Sequence, residues 1–220
     1  MHIDKDILFY IPNLAFIPIA FAMIVGLRKV KFTANEKWIV VLTGIACVSQ
    51  IVSTILWNKQ MNNILVSHIY SILEFTLLIF YFTSYFTRNL RKWAVVLTTL
   101  FTCIVIVQAF VFHNPFEMNW VPRTIESAVM IAISLFMYGF IMKTSSGINI
   151  WNQPLFWINS AALLYFSSNL LLFYFSSYVA QLSYNLNITI WVMHVIFMTL
   201  YYLLISIGLW KTPRIQPSSI

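Results

Sequence analysis

The chain alternates between long apolar runs and short polar interruptions from one end to the other. An α-helix rising about 1.5 Å per residue needs roughly twenty apolar residues to cross a hydrocarbon layer about 30 Å thick. Seven such runs are read here, over residues 8–27, 38–57, 64–86, 93–112, 120–142, 154–178 and 186–210. The polar side chains inside them recur at helical spacing. On the third run Ser67, Tyr70 and Glu74 share a sector about 60° wide, with Ser71 alongside and His68 on the flank. On the seventh, Asn187, His194 and Tyr201 recur at every seventh residue and form one stripe. The predicted fold is all-α, a bundle of seven transmembrane helices making a single membrane domain over residues 1–220. Pro12 and Pro18 fall inside the first run, so a kink or an unwound first turn is expected there. Pro122 falls in the first turn of the fifth, where a missing N–H does no harm.

Composition narrows the class. With 60% hydrophobic and 9% charged residues, the chain has too few polar side chains to coat a water-soluble globule. Thirteen Lys and Arg stand against six Asp and Glu, but the bases sit in short turns between apolar runs, which points to membrane topology and away from nucleic acid. Arg28, Lys29, Lys31, Lys37, Arg88, Arg91, Lys92, Lys143, Lys211 and Arg214 lie in one alternating set of turns; Lys5, Lys59 and Arg123 lie in the other. That imbalance places the N-terminus outside and the C-terminus in the cytoplasm of a multi-pass inner-membrane protein. Trp38, Trp57, Trp93, Trp120 and Trp210 fall at run ends, as interfacial anchors do. The first six residues carry two acids and one base and no small-residue cleavage site follows, so the first run is expected to be retained. Cys47 and Cys103 both fall within apolar runs and indicate no disulfide.

The candidate chemistry centres on Glu74, the one charge in a long apolar stretch. Ten residues past Ile64, it lies roughly 15 Å into the third helix, near the middle of a bilayer. A carboxylate there must be protonated, paired or wet. Once orientation is assigned, His68, Arg123, Glu126, Asn169, Asn187 and His194 fall in the outer half above Glu74, while the inner half contributes mainly Ser134, Asn159 and tyrosine hydroxyls. Arg123 and Glu126, three apart on the fifth helix, can pair. A polar cavity open to the outside and closed towards the cytoplasm is expected, with Glu74, His68, Tyr70, Ser71, Arg123, Glu126, Asn169, Asn187 and His194 as its ligand- or proton-binding residues.

The leading functional expectation is a receptor or sensor for a small ligand, ion or proton, signalling through a separate partner such as a kinase because the cytoplasmic turns are short. It is not a retinal protein of the familiar kind, since the seventh helix has no lysine before Lys211. A proton-coupled or small-solute transporter is the alternative; five glycines and the sparse inner half weigh against it. A membrane-embedded hydrolase using a metal-bound water is the second alternative, with His68, Glu74, Glu126 and His194 as candidate ligands, but HxxxH and HExxH are both absent; Ser71 with His194 as a nucleophile and base rests on residue types alone. No cofactor or metal is expected. The segments HIYSILEFTLLIFYF (68–82) and PLFWINSAALLYFSSNLLLFYF (154–175), with a histidine in the last helix, resemble a group of small, uncharacterised seven-helix bacterial membrane proteins. That likeness covers helices three, six and seven and implies no site residues.

Overall fold

A computed structural model describes residues 5–29, 35–112, 120–145, 149–179 and 184–212; the side chains of 5–15, 29, 88, 173–179, 184–188 and 191 lie outside that description. Seven helices follow one another: α1 (Lys5–Lys29), α2 (Lys37–Asn58), α3 (Ile64–Thr83), α4 (Arg88–Val107), α5 (Trp120–Thr144), α6 (Pro154–Val179) and α7 (Tyr184–Lys211). A π-helical turn, Gln108–Phe112, extends α4, and a 3₁₀ turn, Ile150–Asn152, precedes α6. No strand occurs among the described residues. Helices α2 to α7 are long and apolar enough to cross a membrane; of α1 the apolar part so described is Phe16–Arg28.

Boundaries follow the expectation except in three places. The helix α1 runs unbroken through Pro12 and Pro18, with no unwound first turn among its described residues. The third helix stops at Thr83 rather than 86. There Thr83 donates to the Ile79 carbonyl at 2.7 Å, Ser84 donates to the Tyr81 carbonyl at 2.6 Å, and Arg91 donates to the Ser84 carbonyl at 3.1 Å, so local polar groups take up the helix end. The fourth helix begins five residues before Trp93, because Arg88, Arg91 and Lys92 are good helix formers that an apolar criterion passes over.

Each helix packs on its chain neighbours and α1 packs on α7, which closes the set into a ring. Within it α4 is tied more closely to α3 than to α5, and α3 reaches α5 directly. Asn159 donates to the Ser134 carbonyl and Gln153 meets Ser145, so α5 and α6 are antiparallel. Ser67 meets Arg123 near the start of α3 and α5, and Phe86 meets Phe140 near their ends, so those two are parallel. Exposed Arg28, Lys37, Arg91, Lys92, Lys143 and Lys211 gather at one end of the ring, here the basic end; Lys59 stands at the other.

The sidedness is inverted relative to a water-soluble protein. Val48, Trp93, Val111, Leu135, Met142 and Leu171 are each more than half exposed, whereas Thr43, Glu74, Glu126, Ser134 and Asn159 are fully buried among Phe75, Leu78, Met130, Ala161 and Ile205. Ring contacts tie neighbours together: Trp38 stacks on Phe80 at 5.2 Å and Phe75 lies tilted against Phe101 at 4.2 Å.

Gly208 sets the approach of α7 to α6. A Cβ there would stand 2.7 Å from Ile158 Cγ1 and 3.2 Å from the Pro154 carbonyl oxygen, which the backbone holds in place. Gly208→Ala is therefore expected to cost about 1–3 kcal/mol through overpacking, more than the helix-propensity gain of about 1 kcal/mol. A lowered melting temperature in detergent checks this; an unchanged or raised one would mean that the two helices part without cost.

Candidate functional site

The interior of the ring holds a cluster built by three parallel helices. Tyr70, Ser71 and Glu74 project from one face of α3 because they lie three and four positions apart, and Arg123 and Glu126 project from the first turns of α5 for the same reason. Glu74 and Glu126 are both 0% exposed, and the Arg123 side chain is 17% exposed. Arg123 Nη1 lies 3.3 Å from Glu74 Oε2 and 3.1 Å from Glu126 Oε2. Its Nη2 donates to the Ser67 carbonyl and approaches Ser67 Oγ, both at 3.3 Å. One guanidinium thus uses its fork of donors to hold α3 against α5. The Tyr70 ring lies under it, 5.9 Å from the guanidinium carbon.

The carboxylates are satisfied unequally. Glu74 accepts from Arg123 on one oxygen and from the Tyr70 hydroxyl, 3.1 Å away, on the other. The Tyr70 oxygen stands 2.8 Å from the Tyr202 hydroxyl; since its single hydrogen is given to Glu74, Tyr202 is the donor of that pair, and α7 joins the cluster. Glu126 Oε2 accepts from Arg123 and from Ser71 Oγ at 2.6 Å, whereas its Oε1 has no partner among the described residues. Two carboxylates and one guanidinium share a space closed to solvent except at Arg123. One guanidinium balances one carboxylate, and a second buried carboxylate is costly unless a proton or another cation balances it.

Beside it, α6 and α7 contribute a second polar level. His194 Nδ1 lies 2.9 Å from Asn169 Oδ1, and Tyr165 stands 6.2 Å from the His194 ring and stacks on Tyr201 at 4.5 Å. Of the residues expected to line the site, Glu74, Tyr70, Ser71, Arg123 and Glu126 meet directly, and Asn169 with His194 forms its own pair. His68 is half-buried on the flank of α3. Asn187 belongs to α7, but its side chain lies outside the described residues. Ser71 gives its hydroxyl to Glu126, so it is not paired with His194 as a nucleophile and base. Among the described residues no group of three or more His, Cys, Asp or Glu is placed to hold a metal ion.

Among the described residues the two carboxylates are buried and the cluster meets solvent at Arg123. A groove of about 580 Å³ lies on the apolar outer face of α2 and α3 along Val41, Gly44, Val48, Val66 and Ile69. Tyr165 belongs with the site although the sequence did not single it out; its spacing of four from Asn169 on one helix was the available signal. The basic end also carries a chain that sequence reasoning missed, in which the Tyr85 hydroxyl lies 3.3 Å from Glu36 Oε1 and 3.2 Å from the Tyr81 hydroxyl. No family model matches the chain, and neither does any curated protein or solved structure.

Proposed function

We propose that the chain is a seven-span protein of a bacterial inner membrane, N-terminus outside and C-terminus in the cytoplasm, and that it acts as a receptor or sensor. Support for the topology comes from the apolar outer surface and from the exposed bases gathered at one end of the ring. A cytoplasmic reporter fused after Ile220 is expected to be active, and one fused near Asn114, outside the described residues, or at Tyr184 is expected to behave as exported. The opposite pattern overturns the orientation.

One observation carries the sensing role: Arg123 bridges Glu74 and Glu126 across α3 and α5 while Tyr70 links the same carboxylate to Tyr202 on α7. A proton, ion or small ligand that reaches the cluster past Arg123 changes contacts of three helices at once. The resulting shift in helix packing is the signal, and with short cytoplasmic turns a separate partner such as a kinase reads it. Paired spin labels at Ile69 on α3 and Val121 on α5, both outward-facing, in a background with Cys47 and Cys103 replaced, test this directly. Their separation is expected to change by about 1–2 Å between about pH 5 and about pH 8. A constant separation across that range removes the support for proton sensing by this cluster.

A small-solute or proton-coupled transporter is the second reading. Its support is that buried polar atoms with no partner among the described residues continue from Glu126 into the basic half of the ring.

A further inference from the structure

Four buried side-chain atoms on α5, α6 and α7 have no hydrogen-bond partner among the described residues: Glu126 Oε1, the Tyr201 hydroxyl, Ser134 Oγ and Asn159 Oδ1. All four residues are at most 1% exposed. Their heights follow from the contacts between helices. Ser134 lies eight residues past Glu126 on α5, about 12 Å nearer the basic end. Asn159 is level with it, donating to the Ser134 carbonyl at 3.1 Å. Tyr201 lies between the two levels, stacked on Tyr165, which is six residues and about 9 Å from Asn159 along α6. The unpaired atoms therefore follow one another inward from the cluster. Buried hydroxyls, amides and carboxylates are costly to leave unpaired in a low-dielectric interior, and buried water making two to four bonds is the common way such groups are satisfied.

We propose that the ring interior takes up a file of water along Glu126, Tyr201, Ser134 and Asn159, and that this file carries protons between the Arg123 cluster and the basic end. At that end the hydroxyls of buried Tyr81 and half-buried Tyr85 lead to Glu36, 7% exposed beside the first turn of α2. Tyr81 lies ten residues past Ser71, close to the height of Ser134. Each transfer forms one O–H bond as another breaks, so a proton taken up at Glu126 Oε1 leaves at Glu36 with no change of oxidation state. The titratable groups facing Glu126 are Glu74 on α3, Arg123 on α5, Tyr165 on α6 and Tyr201 on α7, while Tyr70 and Tyr202 face Glu74 and His194 faces Arg123. The proposal rests on the membrane-spanning reading and is independent of whether the cluster is a sensor.

The test is proton flux into liposomes holding the full chain, driven by a potassium gradient with valinomycin and read by an entrapped pH dye. Flux is expected to exceed that of protein-free vesicles. Asn159→Leu and Ser134→Val, which put apolar atoms in the file, are expected to slow it about tenfold, the rate equivalent of one lost hydrogen-bond partner. Leu135→Val, on the outer face, leaves it unchanged. Ser134→Ala removes the hydroxyl without adding bulk and is expected to slow the flux while melting as the wild type does, which separates a broken path from a misfolded protein. Wild-type flux equal to that of empty vesicles, or equal flux in all variants, overturns the file. Helix movement with pH but no flux leaves the sensor standing and the file fallen; flux without helix movement does the reverse.

Discussion

Replacing Arg123 by Met is expected to destabilise the protein by about 3–5 kcal/mol, the cost of leaving a buried charge without its partner. Against a typical total of about 5–15 kcal/mol, that loss is a large fraction and lowers the melting temperature in detergent. Glu74 Oε2 and Glu126 Oε2 would lose the donor they share, at 3.3 and 3.1 Å, and both Ser67 contacts would go with it. Neither carboxylate can turn to solvent, because both are fully buried. Arg123→Lys keeps the charge but supplies a compact ammonium in place of a planar fork, so it cannot serve α3 and α5 at four points together and is expected to melt between wild type and Arg123→Met. The decisive comparison is the triple variant Arg123→Met, Glu74→Gln, Glu126→Gln. With no buried charge left unpaired, it is expected to recover most of the lost stability. Melting of Arg123→Met near the wild-type temperature, or a triple variant no better than the single one, would show that the ion pairs are not what holds α3 to α5.

Sequence patterning located the helices because apolar run length is dictated by the same backbone geometry that sets helix length, and all seven appear in the structure near their expected positions. It also placed Glu74, Tyr70 and Ser71 on one face of α3, which follows from spacing within one helix. What crosses between helices was less legible. That Arg123 would hold Glu74 as well as Glu126 depends on α3 approaching α5 past α4, and nothing in the local pattern of either helix states that neighbour relation. Arg123 in a first turn has an equally good alternative in snorkelling to the surface, and it was the partners on α3 that drew it inward. The expected open cavity rested on polar residues sharing a depth; shared depth is equally met when those residues bind one another, as Ser71, Glu126, Arg123 and Glu74 do. Tyr81, Tyr85 and Glu36 escaped notice because they come together only when the end of α3 folds back beside the start of α2.

Glu74→Gln is expected to leave the fold standing while removing the response to pH. The amide oxygen can still accept from Tyr70, which in turn keeps its bond to Tyr202, so the link from α3 to α7 survives. Arg123 keeps Glu126 and Ser67 and remains compensated by one carboxylate. The loss is one charge-assisted bond of 3.3 Å, about 1.5–3 kcal/mol, well short of the cost of removing Arg123. What cannot survive is proton exchange at this oxygen, and stability depends on pH only through groups whose proton binding differs between folded and unfolded chains. Melting temperatures of wild type and Glu74→Gln, measured across pH in the same detergent and subtracted, isolate that contribution from Glu36 and the other titratable residues, which both proteins share. The separation of labels at Ile69 and Val121 should then stay fixed in the variant while it moves in the wild type. Parallel melting curves, or label movement that persists in Glu74→Gln, would take the working role away from this carboxylate and leave Glu126, whose Oε1 has no partner among the described residues, as the group that reads the outside.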